Sequence, residues 1–103
     1  MAKKYKNTKM TIKKSNRSDK KLMALFEDEK GRTKRVHFGA KGMDDYTLTG
    51  DKEQRRRYRE RHEKDLRTED PRRAGYLSYY ILWGDSKSRQ KNILEYKKRF
   101  GFL

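Results

Sequence analysis

The stretch Leu22-Met23-Ala24-Leu25-Phe26-Glu27-Asp28-Glu29-Lys30-Gly31-Arg32-Thr33-Lys34-Arg35-Val36-His37-Phe38 decides the fold. Leu22 to Phe26 is an unbroken apolar run, and its length and bulk predict a central strand buried on both faces. Glu27 to Gly31 supply a hairpin turn in which Gly31 is free to take a positive φ. Thr33 to Phe38 then alternate, with Val36, Phe38 and Lys34 on one face and His37 between them. Upstream, Met10, Ile12 and Lys14 alternate with Thr11 and Lys13 as a short half-buried strand. Ser15-Asn16-Arg17-Ser18-Asp19 is the turn between them. Three strands in sequence, joined by short turns, predict an antiparallel meander.

Downstream the period changes. Gly39-Ala40-Lys41-Gly42 breaks the strand, and Met43 to Gly50 reads as a loop with turn chemistry at Asp44-Asp45. Asp51 is an N-cap, with Gln54 at N3 completing a capping box. The helix it opens is expected from about Lys52 to Leu66, with a thin stripe of Tyr58, His62 and Leu66. Asp70-Pro71 opens a second helix, Asp as cap and Pro in the first turn. Ala74, Leu77 and Ile81 share a face that Tyr80, Leu82 and Trp83 widen, so this helix is expected at the centre of the core. Gly84 ends it. Ser86 or Ser88 caps a third helix, whose stripe is Ile93, Tyr96 and Phe100 and whose stop is Gly101. The expected architecture is α+β: a three-stranded antiparallel meander followed by three helices packed on one face. Residues 1–8 have no apolar period and read as a flexible basic arm; residues 9–103 read as a single domain.

The chain has 103 residues, 30 Lys+Arg, 15 Asp+Glu and a formal net charge of +15. Its 12% aromatic content favours a folded chain over a disordered basic one. No apolar run approaches the ~20 residues that span a bilayer, so no membrane association is expected. The N-terminus has charge but no apolar segment after it, so no signal peptide is expected. With no Cys there is no disulfide framework, thiol nucleophile or Cys-ligated zinc. The charge is uneven. Residues 1–21 hold nine bases and one acid, residues 22–50 five of each, residues 51–73 ten bases and seven acids, and residues 74–103 six bases and two acids.

Several segments together resemble a known group. They are Ser18 to Phe26; His37-Phe38-Gly39-Ala40-Lys41-Gly42-Met43-Asp44-Asp45-Tyr46-Thr47; Arg57-Tyr58 with Arg61-His62; Ala74-Gly75 with Leu77-Ser78; Ile81-Leu82-Trp83; and Tyr96-Lys97-Lys98-Arg99-Phe100. The chain is similar, over roughly residues 18–102, to a family of small basic proteins of unknown function encoded by large DNA viruses of algae and amoebae. It departs from that pattern at Lys52, where the family has Pro after the first helix cap. The resemblance implies a viral origin and a place in the virion interior or in the infected host cell, nucleus or cytoplasm. It implies no activity and no binding residues.

The site expectations therefore rest on chemistry. Five Arg fall between Arg55 and Arg61. Arg55 and Arg59 project together, as do Arg57 and Arg61. Guanidinium forks fit phosphate oxygens, yet Glu53, Glu60 and Glu63 also suit a solvated helix laced with i,i+4 pairs. Lys3, Lys4, Lys6 and Lys9, with Tyr5 interleaved, form an arm able to order along a nucleic-acid groove. Arg72 and Arg73 are expected in the first turn of the second helix, where the dipole disfavours cations and an outside anion would be welcome. Lys97 and Lys98 sit in a last turn, where they complement the dipole or meet phosphate. Tyr76, Tyr79, Tyr80 and Trp83 read as core rather than as a stacking platform; Tyr5 and Tyr46 are the candidates for exposed stacking. His37 and His62 fit no metal-ligand pattern, the acids fit no nuclease centre, and Gly39 to Gly42 lacks phosphate-loop spacing. No catalytic residue, metal or cofactor is expected.

The resulting expectation is a protein that binds duplex DNA without sequence preference by neutralising phosphates, associated with virion or genome packaging. Its named contacts are Lys3, Lys4, Lys6, Arg55, Arg56, Arg59, Arg72, Arg73, Lys97 and Lys98. Neutralising ~6 phosphates gives a log K against log salt slope of about −5. The alternatives are a capsid or core structural protein that docks an acidic protein or a second copy through Trp83, Phe102 and Leu103, and an RNA-binding protein.

Overall fold

Lys9–Lys14 (β1), Lys20–Glu27 (β2) and Thr33–Ala40 (β3) form one antiparallel sheet in the order β1-β2-β3, as the meander reading requires. The computed structural model describes Tyr5 and residues 7–103. Ala24 lies between Ile12 and Val36, and Phe26 between Met10 and Lys34. Gly31 takes φ 80° in the β2–β3 turn. The Asp28 carboxylate closes that turn by accepting from the backbone N–H groups of Lys30 and Arg32, both at 2.9 Å.

All the helices pack on one face of the sheet. Met10, Ala24, Phe26 and Phe38 are buried there against Leu77, Ile81, Leu82, Tyr96 and Phe102. The β2 run is therefore not buried on both faces. Leu22, Ala24 and Phe26 face the core, whereas Met23 and Leu25 project from the opposite face and stay half exposed. Five consecutive apolar residues conceal the period-2 alternation that would have shown this.

The segment expected as a loop contains a one-turn helix, Tyr46–Thr49 (α1), capped by Asp45. Asp45 is 1% exposed and ties three parts of the chain together. Its carboxylate accepts from the backbone N–H of Thr47 at 2.9 Å, from Lys21 of β2 at 2.6 Å and from Arg89 at 3.2 Å. Burial alone would raise its pKa, but the hydrogen bonds from Lys21 and Thr47 and the charge of Arg89 outweigh that and hold the carboxyl below its ordinary range.

Lys52–His62 (α2) starts at the expected cap, Asp51, whose carboxylate accepts from the N–H groups of Glu53 and Gln54 at 3.0 Å each. The capping box runs through an intermediary: the backbone N–H of Asp51 donates to the Thr49 hydroxyl, which donates to the Gln54 carbonyl at 3.1 Å. The α-helix stops at His62 rather than Leu66. His62 takes φ −108° and bonds its ring to Asp65 at 3.0 Å, and Glu63–Thr68 tightens into a 3₁₀ turn.

The second expected helix begins later than Asp70-Pro71. Residues 70–73 form a turn in which Arg73 N–H donates to the Asp70 carbonyl at 3.1 Å. Ala74–Leu77 (α3) follows and runs on as a π-helical turn, Ser78–Leu82. Arg89–Phe100 (α4) has the expected Ser88 cap and the expected Gly101 stop, at φ 79°. Buried Asn92 fixes the α3–α4 connection: its amide donates to the carbonyls of Ile81 at 2.9 Å and Ser86 at 2.7 Å, and its oxygen accepts from Ser86 N–H at 3.1 Å. The chain end returns to the sheet. Leu103 N–H donates to the Thr8 carbonyl at 2.8 Å, and Met10 N–H donates to the Leu103 carbonyl at 3.0 Å.

Candidate nucleic-acid interface

The arginines of α2 are mostly engaged within the chain. The Arg55 guanidinium lies over the Tyr46 ring, 4.3 Å from its centroid, and donates to the Gly84 carbonyl at 3.1 Å. Arg59 donates to the Trp83 carbonyl at 2.9 Å and to the Asp85 carboxylate at 3.0 Å. These two cations donate to the carbonyls left over where the π turn ends, so they act as braces between α2 and the 83–85 segment. Arg56 bonds Glu53, and bonds Glu60 at 2.6 Å, while Arg57 approaches Glu53 at 3.8 Å. Hydrogen bonding from Arg56 holds the Glu53 carboxyl below its ordinary range, and the same pairs raise the guanidinium of Arg56. Arg55 and Arg61 are the α2 arginines without an ion pair among the described residues, and Arg55 is held by carbonyls and the Tyr46 ring instead.

The placement of Arg72 and Arg73 also changes. They precede α3 instead of occupying its first turn, and the anion they meet is Asp70, at 3.3 and 3.9 Å. Arg72 further lies over the Tyr5 ring at 5.3 Å. Lys97 and Lys98 do sit in the last turn of α4, where they complement its dipole. Lys3, Lys4 and Lys6 lie outside the described residues. Tyr5 is half-buried with its ring stacked on Phe102 at 5.1 Å, and Tyr46 is buried, so neither is an exposed stacking surface. Trp83 and Phe102 are buried too, which removes the expected docking patch apart from Leu103.

The open face of the sheet carries Lys13 and Arg35, which were not among the expected contacts, and Lys9, which was expected in the arm and instead begins β1. The register sets three rows across the face: Lys13–Met23–His37, Thr11–Leu25–Arg35 and Lys9–Glu27–Thr33. Alternation along β1 and β3 places Lys9, Lys13 and Arg35 on this face, all exposed. None of the three has an ion pair or hydrogen-bonded side chain among the described residues. Glu27 is the single carboxylate in the rows. His37 is held by the Ser15 hydroxyl at 2.8 Å from its Nδ1. Exposed Lys14 and Lys34 are in register with Leu22 and Phe26, so they lie at the margins of the helix-covered side and not on this face. The turn acids Asp19 and Asp28 are paired off locally, with Arg17 at 2.9 Å and Arg32 at 2.7 Å. The signal for this face was present in the alternation of Thr11 and Lys13 against Met10 and Ile12. Charge summed along a segment hides it, because a strand divides its side chains between two faces.

Among the described residues, no helix is long and apolar enough to cross a membrane. No group of three or more His, Cys, Asp or Glu among them is placed to hold a metal ion. A family model described as a family of unknown function (DUF5754) matches residues 10–62, which takes in the sheet from Met10 onward, α1 and α2. No curated protein and no solved structure matches the chain.

Proposed function

We propose, for a chain that belongs to the family of unknown function DUF5754, that it binds duplex DNA without sequence preference through the open face of its sheet, by neutralising phosphates. The observation that carries this reading is the set of exposed cations Lys9, Lys13 and Arg35 on one sheet face, none with an ion pair among the described residues. A cation with no carboxylate of its own can take the place of the small cations condensed on a duplex, and the release of those counterions drives binding. The net charge of +15 adds long-range attraction and disfavours self-association through the same face.

The chemistry of the face favours a duplex over a single strand. Single-strand binders stack successive bases on aromatic side chains. His37 is the one aromatic ring in the three rows, and the tyrosines and Trp83 are committed to the other side of the sheet or to the helices. The resemblance to proteins of large DNA viruses is what supports a genome-packaging role in the virion or infected cell.

The test is a salt titration of binding to a random-sequence duplex. The expected slope of log K against log salt is about −5 for the wild type, and the variant K9A/K13A/R35A lowers its magnitude by about 3. A flat salt response in the wild type removes the reading. An unchanged slope in the variant removes the sheet as its site.

A further inference from the structure

The arrangement of the open face is columnar. The middle strand contributes apolar Met23 and Leu25; β1 contributes Lys9, Thr11 and Lys13; β3 contributes Thr33, Arg35 and His37. Met23 and Leu25 take no part in the hydrophobic core, so they form an apolar stripe between two polar, cationic columns. On the described face, Glu27 alone opposes them in sign, at one end.

We infer that this face enters the major groove of duplex DNA, with Met23 and Leu25 against the base edges and the columns of β1 and β3 along the two phosphate walls. The inference rests on the duplex-binding reading above and adds the groove. Dimensions support it. Two inter-strand spacings put β1 and β3 about 10 Å apart. That fits a major groove about 12 Å wide and not a minor groove of about 6 Å. Long Lys and Arg stems on the flanking strands reach outward and upward to the walls, while shorter contacts are left for the floor. The floor of the major groove is where thymine displays its C5-methyl group, an apolar feature that the minor groove lacks. An apolar stripe with cationic flanks complements that pattern of methyl-bearing floor and anionic walls. The same dimensions disfavour duplex RNA, whose major groove is deep, narrow and closed to side chains.

The experiment compares groove ligands and thymine methyl groups on one A·T-rich duplex. Methyl green, which occupies the major groove, is expected to displace the protein, and netropsin, which occupies the minor groove, is not. Replacing thymine by uracil is expected to weaken binding about fourfold for each methyl contacted. The variant M23S/L25S is expected to bind both duplexes equally, and its circular dichroism is expected to be unchanged because neither side chain lies in the core. Displacement by netropsin and not by methyl green, with the steep salt slope intact, overturns the groove assignment and leaves the duplex-binding reading standing. Equal wild-type affinity for thymine and uracil duplexes overturns the contact of Met23 and Leu25 with the floor. A wild-type slope of zero overturns both readings.

Discussion

Helix α2 and the open sheet face are both rich in basic residues, and the structure uses them in opposite ways. On α2 the arginines alternate with glutamates at helical spacing, so Arg56 finds Glu53 three residues before it and Glu60 four after it. Arg55 and Arg59 reach instead across to the carbonyls of Gly84 and Trp83. On the sheet, residues two apart share a face and the acids collect in the turns. Lys9, Lys13 and Arg35 therefore project from a face that offers Glu27 alone. The difference teaches that charge density along a chain is a poor guide to charge available for a partner. What matters is whether the local period brings a carboxylate within reach.

The contrast can be broken or sharpened by mutation. The largest expected effect comes from the joint between the two regions. D45N leaves Lys21 of β2 and Arg89 of α4 without their shared carboxylate. It is expected to cost about 3 kcal/mol in urea unfolding, because removing one member of a buried ion pair strands the others. The pH dependence follows from the lowered pKa of Asp45. Its contribution is complete above the ordinary aspartate value of 3.8 and is lost as pH falls through the lower folded value. D45N is therefore expected to show a shallower loss of stability on acidification below that point. An equally steep acid limb contradicts the role given to Asp45.

Next is the charge reversal K9E/K13E/R35E, expected to weaken duplex binding at least about a hundredfold near 0.1 M salt with the fold retained. The paired variant R56A/R57A is expected to stay within about twofold of wild type, since those guanidiniums already face Glu53 and Glu60. Equal losses in the two variants erase the distinction between the regions. A smaller effect is expected from R59A: about 1–2 kcal/mol of stability, as the Trp83 carbonyl and Asp85 lose a charged donor. Binding corrected for the folded fraction should not change. The smallest effect is expected from R56A alone, which leaves the thermal midpoint in place because its ion pairs lie in open solvent. A measurable drop there makes α2 more than a solvated, charge-balanced surface.

Much of the fold was legible because its cues are local. The turn at Gly31, the caps Asp51 and Ser88 and the stop at Gly101 each depend on a few adjacent residues, and all four are where the sequence puts them. The misreadings share a cause. Asp45 looked like a turn residue, yet it caps a helix whose N–H groups and whose two cationic partners come from 21 to 89. Asp70 looked like a cap and instead bonds the backbone N–H of Arg72 at 3.0 Å within a turn that delays the helix. The expected site residues suffered most. Whether an arginine is free depends on carbonyls that arrive from thirty residues away.

From its residues alone the chain determined its class, the placing of three strands ahead of its helices, and the sheet topology. These follow from periodicity and turn chemistry, which act over a handful of neighbours. Only the tertiary structure decided which cations remain for a partner. Pairing is a matter of distance in space, and no local pattern records that Arg59 meets Asp85 while Arg35 has no ion pair among the described residues.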